Sequence, residues 1–251
     1  MNRTDRPASL PRPTHAVFPP SSFSIETGLF RTEHDSARCV FGPVHYEPRY
    51  AYPLVVWLHG ADSDERELMR IMPAVSLRNY VAVAPRGFVA PKTDSDAARY
   101  CWPQSPDYIQ AAAERVFDAV EAVRQRFAIH PQRVFLAGFD CGGTMAFRLA
   151  MDYPRRFAGV LSIGGAFPRL YNPLRQLTDS RHLPLFLAIG RDDPRYSPEQ
   201  ACDDLRLFHT AGMSITLRQY PCGHELTPQT LRDVDRWIIE QIAPTSEPAG
   251  K

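Results

Sequence analysis

The stretch "AGFDCGGTMA" (residues 137–146) places an aspartate among glycines, where an apolar run, "RVFLAG", gives way to a run of helical period. A tight turn between strand and helix forces its apex residue into strained backbone angles, so the positions two before and two after must be nearly free of side chain. Gly138 and Gly142 meet that condition around Asp140. Moving the apex to Cys141 sets Phe139 and Gly143 at the flanks, and Phe139 is too large. The register therefore puts Asp140 at the apex. Cys141 follows at a helix start, which acidifies a thiol, but the adjacent carboxylate opposes that ionisation and argues against a thiolate nucleophile.

A carboxylate at such an apex has a narrow chemistry. Attack on a carboxyl ester would form an anhydride, and the tetrahedral intermediate would expel the aspartate rather than an alkoxide, because their basicities differ by about ten pKa units. Toward an sp³ carbon the product is an alkyl ester, stable until water attacks its carbonyl. A purely structural role is a negative charge at a helix N-terminus.

The elements that would hold this turn are legible along the chain. Short apolar runs, "RCVFGP", "LVVWLHG", "YVAVAP", "RVFLAG", "GVLSIGG", "LFLAIG" and "ITLRQYP", alternate with helical stretches at residues 64–72, 107–128, 142–153, 198–210 and 228–242. Ser197-Pro198 and Thr227-Pro228 are helix-start signals. Strands apolar on both faces, alternating with amphipathic helices, predict a mostly parallel twisted sheet covered by helices on both faces. Ligands of such sheets bind at the carboxyl ends of the strands.

At 251 residues with 44% apolar composition, the chain fits one α/β domain. Residues 1–22, rich in Pro and Ser, read as a disordered arm, 23–243 as the domain and 244–251 as a frayed tail. A net charge of +1 with scattered Lys and Arg argues against a nucleic-acid partner and points to a small-molecule ligand in a pocket. The five cysteines show neither CxxC pairs nor metal spacing, so no metal is expected, and reduced thiols in a cytoplasmic protein are the simplest reading. "GFDCGG" lacks the GxGxxG spacing of a dinucleotide loop, and no cofactor is expected. No segment reads as a signal sequence or approaches the roughly 20 apolar residues of a membrane span. A homo-oligomer is left open.

Four landmarks in order, "LHGADSDE", "GFDCGG", "AIGRDDPRYSP" and "YPCGHEL", make the chain resemble the α/β-hydrolase superfamily, and within it the phospholipase and carboxylesterase group of lidless esterases, whose members carry a stretch similar to "GFSQGG". The resemblance runs from about residue 36 to residue 242. It implies an α/β-hydrolase fold without a cap domain and a hydrolase similar to small carboxylesterases, with Asp140 standing where the nucleophilic serine would be. It also implies His224 as base and Asp193 as the acid that orients it, with Asp192 the alternative. The backbone N–H groups of Ala61 and Cys141 would form the oxyanion hole. His59 and Trp102 would lie along the substrate cleft.

Three outcomes stay open for this triad variant. A covalent alkyl-aspartyl route resembles that of haloalkane dehalogenases and epoxide hydrolases, whose members carry an aromatic after the nucleophile and a cap; here Cys141 follows, and only residues 166–182 are free for a cap. A noncovalent route uses His224 or Asp140 to activate water. Alternatively hydrolysis is lost: Asp140 and Asp193 keep His224 protonated, and the fold binds a small molecule or regulates.

Overall fold

The central apolar runs become buried strands because they have no polar face to give to solvent, while the edge run "ITLRQYP" keeps Arg218 and Gln219 exposed. In the computed structural model, which describes residues 33–35, 38–90 and 99–243, the chain runs β1 (Glu33–Asp35), β2 (Arg38–Phe41), β3 (Tyr52–Leu58), α1 (Glu67–Val75), β4 (Val81–Pro85), β5 (Phe88–Val89) and β6 (Tyr100–Cys101). It continues through α2 (Pro106–Arg124), β7 (Ile129–Phe139), α3 (Cys141–Asp152), β8 (Gly159–Ile163), α4 (Leu177–Ser180), β9 (Leu185–Gly190), α5 (Pro198–Thr210), β10 (Ile215–Tyr220) and α6 (Pro228–Ile242). The expected arm 1–22 and tail 244–251 lie outside the described residues.

Eight strands form one sheet in the order β1-β2-β4-β3-β7-β8-β9-β10. The pairings from β4 to β10 are parallel, while β1 and β2 add an antiparallel edge. Every residue of β3, β4, β8 and β9 is buried, as a parallel sheet covered on both faces requires. Alternate residues serve opposite cores. Leu54, Val56 and Leu58 of β3 join the side chains of α2 and α3, whereas Val55 and Trp57 meet those of α1 and α6. Fully burying such a side chain contributes about 1.5–3 kcal/mol, and a one-residue slip would exchange the two sets. The fold is that of an α/β hydrolase without a cap: the connection from β8 to β9 holds a single short helix, α4.

Both helix-start signals are realised. Ser197 Oγ accepts from the Gln200 N–H at 3.3 Å and Thr227 Oγ1 from the Thr230 N–H at 3.1 Å, each ahead of a proline at the first helical position. Two helices depart from expectation by more than one residue. Helix α1 begins at Glu67 rather than residue 64 and runs through Pro73, because the acidic stretch before it is drawn into buried pairings: Glu65, fully buried, takes the Arg86 guanidinium in a two-point ion pair. Helix α2 stops at Arg124 instead of 128, its last turn tightening as the Arg126 N–H bonds to Val123 O. The β5/β6 hairpin and α4 have no sequence signal beyond their two to four residues.

Candidate active site

Asp140 links the last residue of β7 to the first of α3, with φ 52° and ψ −125°. A non-glycine residue there stores about 1–3 kcal/mol of strain, which the surroundings must fix in place. They do so through close packing. A Cβ on Gly142 would lie 2.2 Å from Leu58 O, and one on Gly138 would lie 2.5 Å from the Gly142 carbonyl. The Asp140 N–H is taken by Ile163 O at 2.9 Å, and its carbonyl accepts from the Thr144 N–H at 3.1 Å.

The side chain does not cap the helix that it precedes. Instead its carboxylate turns outward and divides its oxygens. Oδ2 accepts from the Ala61 N–H at 3.2 Å and from Arg195 Nη1 at 3.0 Å. Oδ1 lies 3.3 Å from His224 Nε2. That contact is an ion-pair approach off the line of a hydrogen bond, since buried Nε2 has no hydrogen-bond partner.

His224 comes from the loop between β10 and α6, and its ring lies between Phe139, 4.8 Å away centroid to centroid, and the bare Cα of Gly164. Nδ1 is bonded to Asp193 Oδ2 at 2.7 Å. Asp193, in the loop after β9, is nearly inaccessible, and its other oxygen accepts from the N–H groups of Arg195 and Tyr196 at 2.8 and 3.2 Å. That turn clamps the carboxylate toward the imidazole. The neighbouring Asp192 points to solvent in an ion pair with Arg191.

Charges are strongly coupled here. The Asp140 carboxylate foremost, with Asp193 adding to it, raises the His224 pKa above 6.5 against the opposing effect of burial. For Asp140, burial pushes the pKa up, but His224, the Ala61 N–H and Arg195 together outweigh it and hold the carboxyl below 3.8. The arrangement favours imidazolium beside carboxylate. Cys141 is the reverse case: burial, with Asp140 beside it, pushes its thiol up to about 12.

The Ala61 N–H is itself held in place. Glu67, buried at the start of α1, accepts from Trp57 Nε1 at 2.8 Å and sits 3.3 Å from the Gly60 N, so a single carboxylate ties the "LHG" loop to β3. His59 and Trp102 are not on a cleft surface. His59 is fully buried, with Nδ1 on Gly60 O at 2.8 Å and Nε2 accepting from the Gly87 N–H at 3.0 Å, and burial lowers its pKa. Trp102 is 1% exposed and packs against His59 and Phe88. Both help to hold the loops together.

Against known families, residues 44–242 match the phospholipase/carboxylesterase model of the α/β hydrolases. The chain belongs to this family. It is 24% identical over 170 residues to the "probable carboxylesterase SOBER1-like" of Arabidopsis thaliana, covering 67% of this chain and 63% of that protein. It is 25% identical over 120 residues to acyl-protein thioesterase 1 of Gibberella zeae, covering 46% and 51%. The match thus spans less than two thirds of either relative. The crystal structure of Arabidopsis thaliana SOBER1 superposes with a TM-score of 0.65 at 19% identity over 77% of this chain and all of that one, which concerns the fold alone. Among the described residues no helix is long and apolar enough to cross a membrane.

Arg195 and Glu67 are the site residues that sequence reasoning missed. Arg195 carried no signal beyond its place two residues after Asp193, and Glu67 read as one more charge in a charged run.

Proposed function

We propose that this family member is a hydrolase of small molecules in which Asp140, His224 and Asp193 form the catalytic constellation. One observation carries the reading: the carboxylate on the strained apex faces the imidazole with one oxygen and fills the Ala61 N–H seat with the other. An ester carbonyl arriving at that seat meets Asp140 Oδ2 instead of a free donor. The seat serves a substrate only if the carboxylate becomes the carbonyl group held there.

The chemistry that satisfies this is displacement at an sp³ carbon. Asp140 attacks R–X to give an Asp140–R ester and X⁻; for an epoxide X⁻ remains on R as the alkoxide and takes the proton of the His224 imidazolium, and for a halide that proton passes to solvent. Esterification removes the negative charge beside His224, so the imidazole loses its largest cause of protonation and can act as a base. Water, giving its proton to Nε2, adds to the Asp140 carbonyl. The oxyanion then develops at Oδ2, beside the Ala61 N–H and Arg195, and collapse releases ROH and restores the carboxylate.

The test is intact-mass spectrometry of His224→Gln incubated with epoxides and alkyl halides. Accumulation of an adduct mapped to Asp140, heavier by R less one hydrogen for a halide R–X or by the whole epoxide, is the expected result; an unmodified protein across the panel overturns the covalent route.

A second reading, a noncatalytic binding or regulatory protein, is favoured by the closure of the cluster on itself, from Arg195 through Asp140 and His224 to Asp193. Short-chain chromogenic esters offered to wild type and Asp140→Ser separate the cases. Esterase activity gained by the serine variant means that the rest of the machinery works and the aspartate redirects it. Inert variants on both ester and sp³ panels favour binding.

A further inference from the structure

A second feature lies elsewhere, on the face of the sheet covered by α2 and α3. A cavity of about 360 Å³ opens between these helices and residues 171–175, a size that suits a small organic ligand. None of Asp140, His224, Asp193 or Arg195 lines it. Ile109, Ala113 and Phe117 of α2 give it an apolar wall, with Tyr153 and Tyr171 adding aromatic edges.

Arg148 of α3 lines this cavity and is 2% exposed, and no hydrogen bond or ion pair reaches its guanidinium from the described residues; its Nε is buried without a partner. A buried charge in that state is costly, because no acceptor replaces its lost hydration and the main offset is the attraction of Asp152, which lies one helical turn away without a hydrogen bond to it. Burial lowers its pKa accordingly. Other charges at the cavity are engaged. Arg175 Nε pairs with Asp152 Oδ1 at 3.1 Å, and Glu114 Oε1 accepts from Gln110 Nε2 at 3.2 Å on the outer side of α2. Of the four charged side chains that line the cavity, Glu114, Arg148, Asp152 and Arg175, Arg148 alone has no hydrogen-bond or ion-pair partner among the described residues, and it lies next to an apolar wall.

We propose that this cavity binds a small monocarboxylate with an apolar or aromatic body, its carboxylate seated on Arg148. A monoanion suits the site better than a phosphate dianion, because Asp152 and Glu114 lie at the same cavity and would repel a second charge. A carboxylate also matches the planar donor fork of arginine. The proposal is independent of the chemistry assigned to Asp140.

The test is calorimetric titration with 4-phenylbutyrate and its neutral amide. Wild type should bind the acid at least tenfold more tightly than the amide, Arg148→Met should abolish that preference, and Arg195→Ala, which alters the other anion seat, should preserve it. Equal binding of acid and amide, no binding of either, or loss of the preference in Arg195→Ala overturns the assignment. A measurement on wild type alone guards against a variant that does not fold. The Arg148 Nε–H resonance should shift downfield and exchange more slowly with 4-phenylbutyrate present, and an unmoved resonance at saturation would count against the site.

Discussion

Arg195 donates to Asp140 Oδ2 at 3.0 Å, and so joins the loop after β9 to the apex after β7. The Arg195 side chain is 58% exposed, so solvent screens the pair and its contribution to stability is under about 1 kcal/mol. Its pull on the Asp140 carboxyl is likewise modest, coming after those of His224 and the Ala61 N–H. Arg195→Ala should raise the Asp140 pKa toward the ordinary carboxyl value while the urea midpoint hardly moves. Carboxyl ¹³C titration read beside a denaturation curve checks both halves, and an unchanged Asp140 titration would remove Arg195 from the cluster.

Glu67 is a different kind of residue, since its partners cannot turn to water. Glu67→Ala leaves Trp57 Nε1 and the Gly60 N–H buried without an acceptor, which costs about 1–3 kcal/mol in urea denaturation. Glu67→Gln keeps one acceptor oxygen for the indole and should lose less. Equal losses for the two variants would mean that side-chain volume, not hydrogen bonding, holds the loop.

Gly142→Ala should be among the most damaging single-methyl additions in the chain. The new Cβ would fall 2.2 Å from Leu58 O and 2.5 Å from His59 O, both backbone atoms of β3 and its loop that cannot rotate away. Relief requires α3 to lift from β3, at a cost of roughly 1–3 kcal/mol or more. Gly212→Ala, with nothing closer than 3.8 Å but φ at +72°, isolates backbone strain without a clash and should cost less. Thermal melts of the two variants compare the effects directly.

The sheet was legible in the sequence because its central strands are apolar on both faces and its helices are not, a contrast that survives any error in boundaries. The apex register was legible for a steric reason, the size of Phe139 against the glycines around Asp140. Arg195 was not, because a surface arginine acquires meaning only when folding brings two loops together. Nor was the burial of Glu65 and Glu67, whose acidic run looks like a solvated helix face until Arg86, just after β4, and Trp57 of β3 are brought against it. His59 and Trp102 were read as cleft residues by position, yet both are buried: the two ring nitrogens of His59 are spent on Gly60 and Gly87, and Trp102 packs against the His59 ring.

The ionisation of the site sets its own pH signature. The folded pKa of His224 lies above the unfolded value near 6.5, so this group contributes stability that is fully present below pH 6.5 and is lost as pH rises through the folded value. Asp140 is held below 3.8, so its contribution is present above that pH and is lost as pH falls through its own folded value. Both contributions are complete only in the window between about 3.8 and 6.5. Asp140→Asn deletes the acid-side contribution and removes the largest cause of the raised His224 pKa, leaving burial to pull it down against Asp193 alone. The difference between wild-type and Asp140→Asn unfolding free energies should therefore be greatest inside that window and shrink on either side. NMR titration of the His224 ring should show the imidazole pKa falling in the variant. A wild-type His224 that titrates at or below 6.5, or one unmoved by Asp140→Asn, would mean that the carboxylate and the imidazole do not share charge across their 3.3 Å contact.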